Sequence, residues 1–156
     1  MSPEQSEGLK FFLTLDAQSK PFEIIEHTAD VGLRIFGRDL KELFVNAAAG
    51  LMSFIIDAKS LAGKKIIVID LHEDNREELL VAWLNELLFQ FSTHSFLSKE
   101  FTIEKISETH IAARLSGEII NPKKHRVISD IKAATYHELT IKETKDGLMA
   151  QVILDT

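Results

Sequence analysis

Val31-Gly-Leu-Arg-Ile-Phe-Gly-Arg-Asp-Leu-Lys-Glu-Leu-Phe-Val-Asn-Ala-Ala-Ala-Gly-Leu-Met-Ser-Phe-Ile55 changes its period partway along. Over its first six residues Val31, Leu33 and Ile35 alternate with Gly32, Arg34 and Phe36, the two-residue repeat of a strand with one face inward. Gly37 breaks the run. Asp39 can cap a helix, and Glu42 three residues on completes a capping-box pattern. Leu40, Leu43, Phe44, Ala47, Ala48, Leu51, Met52 and Ile55 then fall on one stripe at helical spacing. A strand that runs straight into an amphipathic helix calls for a sheet layer and a helix layer sharing one core.

Working outward, Phe22 to Glu26 reads as a short strand ending at His27. Residues 1–20 read as an N-terminal extension of mixed polarity, closed by Pro21, in which Leu9 to Leu15 forms either an edge strand or a short helix. Downstream, Gly63 marks a turn. Ile66 to Ile69 is an unbroken β-branched run, the pattern of a strand buried on both faces. Asn75 and Glu78 make a second capping box. Leu80, Trp83, Leu84, Leu87, Leu88 and Phe91 form the stripe of a second helix, to about Phe91. From Phe101 the pattern returns to strands: Phe101 to Ile106, His110 to Ile120 stopped by Asn121-Pro122, Ile131 to Ile141, and Leu148 to Asp155 after an Asp146-Gly147 hairpin signal. The order ββαβα plus four strands predicts an α+β fold. It is a two-layer sandwich in which a largely antiparallel β-sheet carries two amphipathic helices on one face, with residues 21–156 as a single domain.

With 156 residues, 45% hydrophobic and 27% charged, the chain is long enough for one core and has an ordinary globular composition. It contains no cysteine, which excludes disulfides, thiolate zinc sites and a cysteine nucleophile. No secretory pattern opens the sequence, and no apolar run nears the roughly 18 residues of a membrane helix. A cytoplasmic protein with no membrane partner is the expectation. The net charge of -6 gains little from counterion release, so any RNA is expected to be held by a partner.

Three places can carry chemistry. His27-Thr-Ala-Asp30 joins two strands. It reads as a turn whose Thr28 and Asp30 bond local backbone, or as a source of ligands. Asp155 closes an apolar strand and adjoins Thr156, whose backbone oxygens are also hard donors. It is either a solvated terminal acid or, if the strand ends meet, a partner of Asp30 in an oxygen-donor cation site. Lys132 lies among small residues in Lys132-Ala-Ala-Thr-Tyr-His137. It is either solvent-facing or free to reach an acid or a phosphate, and His137 reads as structural. The basic run Asn121 to Arg126 reads as a solvated tip, with contact to RNA or an acidic partner as the alternative. No Gly-rich phosphate loop, HExxH pair or nucleophile elbow is present. The six histidines show no zinc-ligand spacing along the sequence.

Glu26-His-Thr-Ala-Asp-Val-Gly32 resembles the opening motif of the archease family. Gly37 to Phe44 with its Ala-rich helix, Glu78 to Leu88, Lys132 to Leu139, and Val152 to Thr156 are similar to the family's further blocks, in the same order. The resemblance implies an accessory protein that is not itself an enzyme. Its partner would be an RNA ligase of the RtcB type, active in tRNA splicing, which it helps to accept GTP and to turn over repeatedly. RNA and GTP are then met through the ligase. It also implies a divalent-metal site formed by Asp30 and Asp155, with a backbone oxygen from Thr156. The cation would be calcium, with magnesium or manganese as functional alternatives. Lys132 is implied as a functional residue that assists the ligase. His27, holding Asp30 in place, and Glu86 are lesser candidates. The family usually ends on an apolar residue where this chain has Thr156, a difference that does not bear on a backbone ligand. Two other readings stay open at this point: a free-standing metal-dependent hydrolase using the same acids, and a chaperone or adaptor with no chemical site.

Overall fold

The computed structural model describes residues 20–26 and 30–156 together with a short N-terminal pairing, Ser2–Pro3 (β1) against Ser6–Glu7 (β2). The expected element over Leu9 to Leu15 lies outside the described residues. The remaining order is Phe22–Glu26 (β3), Val31–Gly37 (β4), Leu40–Ile55 (α1), Lys65–His72 (β5), Arg76–His94 (α2), Phe96–Ile106 (β6), His110–Ile119 (β7), Ala133–Thr144 (β8) and Gly147–Asp155 (β9). This is the ββαβα-plus-four-strands order read from the sequence, and the fold is an α+β sandwich.

All described strand pairs are antiparallel, and beyond the short β1–β2 pair the strands divide into two sheets. One is ordered β3-β4-β9-β8 and the other β5-β7-β6. Both helices touch both sheets, α1 chiefly through β4 and β6 and α2 chiefly through β8 and β6. One core results, with Leu33, Ile35, Phe44, Leu51, Trp83, Leu87, Ile111, Leu115, Val152 and Leu154 among its members. Trp83 is fully buried, and its Nε1–H donates to the Phe44 carbonyl oxygen at 2.9 Å, tying α2 to α1. A buried indole N–H left without an acceptor would cost about 1–3 kcal/mol, so this bond helps to fix the helix pair.

The two helix starts form where expected. The Asp39 carboxylate accepts the Glu42 N–H at 2.9 Å, and the Asn75 side-chain oxygen accepts the Glu78 N–H at 2.9 Å. The reciprocal half of each box differs. Glu42 turns to the Arg38 backbone N–H and guanidinium, and Glu78 accepts from the Asn75 amide.

Three strand readings need correction. β5 is not buried on both faces: Ile66 is 54% and Val68 71% exposed. β5 is an edge strand of a three-stranded sheet, and α2 packs against it from the core side. β6 begins at Phe96 rather than Phe101, because Ser95 turns left-handed (φ 57°) right after α2 and the buried Phe96-Leu97 pair joins the sheet at once. β8 begins at Ala133, not Ile131, and its alternation fails after Thr135. Thr135 pairs with Ile153 but Thr140 with Gln151, so residues 136–139 swell out against Val152 alone.

The β8–β9 turn is centred on Lys145 and Asp146, one residue earlier than the Asp-Gly signal suggested. Gly147 follows it at φ +144°, and a Cβ there would strike the Gly37 carbonyl oxygen.

Candidate functional site

Three segments meet at one margin of the four-stranded sheet. β4 starts at Val31, paired with Leu154 of β9. Asp155 closes β9 opposite Ala133, the first residue of β8. The Lys132 N–H donates to the Asp155 carbonyl oxygen at 2.8 Å. Asp155 therefore lies between the start of β4 and the start of β8. Continuing the β4–β9 register by one residue sets Asp30 across from it. Ala150, Val152 and Leu154 point into the helical core. By strand alternation Asp155 shares the opposite face with Gln151 and Ile153.

Asp155, Thr156 and Lys132 are exposed and Asp30 is half-buried. Among the described residues, no hydrogen bond or ion pair engages the side chains of Asp30, Asp155 or Lys132. Like charges set across a strand pair repel, and among the described residues neither carboxylate has an ion pair to offset that. The donors available are two carboxylates and the Thr156 main-chain oxygen. Hard oxygen donors of this kind suit Ca²⁺ or Mg²⁺, and the chemistry of the set fits such an ion.

The start of β8 is held from behind by α2. Asn85 donates its amide to the Ala134 carbonyl oxygen at 3.2 Å and accepts the Ala134 N–H at 2.8 Å. β8 is an edge strand, so these two bonds do for its free edge what a further strand would do. They set the position of Lys132 and Ala133, and with them Asp155. Sequence reasoning passed over Asn85. Its signal was a lone amide between apolar neighbours in Trp83-Leu-Asn-Glu-Leu-Leu88.

Glu86, next to Asn85, accepts from Gln90 Nε2 at 2.7 Å one turn along its own helix. That bond holds it along α2. His27 lies outside the described residues. His137 is exposed, with its Nε2 3.7 Å from Glu138, a residue at φ 54° in the swollen part of β8. A cleft of about 480 Å³ lined by Met52, Ser53, Ile56, Ser98, Lys99 and Phe101 among others includes neither Asp30 nor Asp155.

The basic run after β7 is solvent-exposed, as expected, except at His125. His125 is buried, and its Nδ1 accepts the Asn121 N–H at 2.8 Å, so Nε2 carries the proton and donates to Glu118 at 3.0 Å. Lys124 binds the same carboxylate at 3.0 Å, and the Ala62 N–H donates to it at 2.9 Å. The Ala62 N–H first, then Lys124 and His125, pull the Glu118 carboxyl down from 4.5 to about 2. The cluster pins the segment after β7 to the loop before β5, which leaves Lys124 and His125 committed to structure.

The model of the "Archease protein family (MTH1598/TM1083)" matches residues 22–156. The protein archease of Methanosarcina acetivorans is 38% identical over 145 residues, covering 90% of this chain and 99% of that one. The protein archease of Thermococcus kodakarensis is 34% identical over 140 residues, covering 87% and 99%. Among solved structures, protein 1598 of Methanobacterium thermoautotrophicum superposes with a TM-score of 0.73 at 30% identity, over 87% of this chain and 99% of that one. A Thermotoga maritima protein described as "an archease, possible chaperone" superposes with a TM-score of 0.62 at 24% identity, over 89% and 98%. The motifs quoted from the sequence, the strand ends they occupy and these likenesses agree: the chain belongs to the archease family.

Proposed function

We propose that this archease is an activator of an RtcB-type RNA ligase, working through a divalent-cation site of Asp30, Asp155 and the Thr156 main-chain oxygen, with Lys132 beside it. Family membership supports the accessory role. The observation that carries the site is the ladder itself. Two motifs more than a hundred residues apart in sequence place their acids at paired strand ends, and a third brings its lysine there through the Lys132–Asp155 backbone bond.

In this reading the protein carries no nucleophile and joins no RNA. Asp30 and Asp155 hold the cation at the docking face, and the Lys132 ammonium meets a phosphate oxygen at the ligase nucleotide pocket. Asn85 keeps the lysine and Asp155 in register. The cation would supply positive charge against phosphate. Positioning and charge stabilisation of this kind lower a barrier without any covalent chemistry from the activator. RNA and GTP are bound by the ligase, in keeping with the acidic net charge of this chain.

The test is ligase activation by Asp30→Ala and Asp155→Ala. Both variants should retain the wild-type circular dichroism and melting temperature while losing stimulation. Undiminished stimulation by both would overturn the proposal. Cleavage of a model phosphoester by the protein alone with Mg²⁺ or Mn²⁺ would point instead to a hydrolase. Stimulation independent of both acids would point to a chaperone-like adaptor, the class suggested by the description of the Thermotoga protein.

A further inference from the structure

The outer face of the three-stranded sheet carries a second group of ligating side chains, on strands that take no part in the acid site. His72 and His110 are 38 positions apart in sequence but are direct partners across the β5–β7 ladder. Asp70 lies two residues before His72, on the same face of β5. The two imidazoles stack with centroids 4.0 Å apart and planes 5° from parallel. Both place Nε2 close to one oxygen, Asp70 Oδ1: His110 is hydrogen-bonded to it at 3.0 Å and His72 lies 3.1 Å away. One ligand atom from each of the three residues falls within 4.8 Å of the others.

We propose that Asp70, His72 and His110 form a site for a transition-metal dication of the Zn²⁺, Co²⁺ or Ni²⁺ class. Two imidazoles with one carboxylate are a donor set for these ions and a poor one for Ca²⁺ or Mg²⁺. Ligand bonds to such an ion run about 2.0–2.2 Å. At that length, donors 3.0–3.1 Å apart subtend about 90–95° at the metal. That angle suits adjacent positions of a five- or six-coordinate ion better than a tetrahedral one. The metal takes the Nε2 lone pair of each neutral imidazole, whose single ring proton then sits on Nδ1.

The scaffold already holds the two strands that carry the donors in place. Backbone bonds Glu73 N–H to Thr109 O at 2.9 Å and Ser107 N–H to His110 O at 2.8 Å close the ladder directly beyond the histidines. The backbone needs no further ordering, and the two stacked rings need only turn out of parallel for both Nε2 lone pairs to meet one ion. Glu73, Asp74 and Glu108 flank the group in sequence, and no lysine or arginine occurs in 70–75 or 106–112, so the local potential favours a cation. Asp70 and His72 are exposed, which leaves the remaining coordination positions to water or to a donor from outside.

The test is calorimetric titration of untagged protein with Zn²⁺, together with the visible spectrum of the Co²⁺ form and the imidazole resonances of all six histidines. One equivalent should bind. Only the His72 and His110 resonances should move, and the Co²⁺ spectrum should show the weak absorption of a five- or six-coordinate ion. His72→Ala, at an exposed position, and His110→Asn should each weaken binding more than tenfold. Asp30→Asn and Asp155→Asn should leave it unchanged, which separates this site from the acid site. Affinity unaffected by either histidine substitution, or no saturable binding at millimolar Zn²⁺, would overturn the proposal.

Discussion

At the scale of single residues, the acids at the sheet margin and the Glu118 cluster behave oppositely. The side chains of half-buried Asp30 and exposed Asp155 make no hydrogen bond or ion pair among the described residues, so replacing either with Ala should leave stability within about 0.5 kcal/mol. Glu118 is fully engaged. Its folded pKa of about 2 lies below the ordinary 4.5, so it stabilises the fold above about pH 4.5 and that contribution fades as pH falls toward 2. Glu118→Gln should therefore be less stable than the parent at pH 7, with the gap closing between pH 4.5 and pH 2. Urea unfolding at a series of pH values measures it, and a pH-independent gap would count against the ion cluster. The sequence showed both acids of the margin because each ends a patterned strand. It hid the fate of Lys124 and His125, because nothing local says that a basic run folds back onto a carboxylate six or seven residues earlier. His72 and His110 were hidden for the same reason. Spacing along the chain does not report a partner across a ladder.

At the scale of elements, the helices were legible from stripe and cap together. Leu40–Ile55 and the start of α2 stand where Asp39 and Asn75 put them. Strands were legible in number and order but less so in burial. The β-branched run of β5 reads like a central strand, and only the three-stranded topology makes it an edge. Two substitutions probe how elements hold the site. Asn85→Ala strips the Ala134 N–H and carbonyl of their helix partner. It should cost about 1–3 kcal/mol and weaken cation binding at Asp155 more than tenfold, because β8 loses its anchor beside Lys132. Calcium titration and thermal unfolding of that variant measure both effects, and unchanged cation affinity would show that α2 does not position the site. Gly147→Ala forces a Cβ into φ +144° against the Gly37 carbonyl. Backbone strain of that kind costs about 1–3 kcal/mol, visible as a lowered melting temperature, with the acid margin at the far end of β9 left intact.

At the scale of the whole molecule, the two sheets divide the work. The four-stranded sheet gathers Asp30, Lys132 and Asp155 at one margin, and the three-stranded sheet shares the helical core without contributing to that group. Two acids at neighbouring strand ends, with no ion pair to their side chains among the described residues, make the folded state the form that gains from a cation. Ca²⁺ at a hundred times its dissociation constant should stabilise the protein by about 2.7 kcal/mol, and Asp30→Asn should abolish that gain. The convergence itself could not be derived from spacing. The first and last motifs meet only because β9 returns between β4 and β8, a topology that periodicity does not encode. The measurement that tests the central claim most directly is guanylylation of the RtcB-type ligase with labelled GTP, at limiting ligase, in the presence of this protein or its Asp30→Ala or Asp155→Ala variant. Faster labelling and repeated turnover with the parent protein, lost in both variants, is the predicted result. Equal labelling with and without the protein, or full stimulation by both variants, would contradict it.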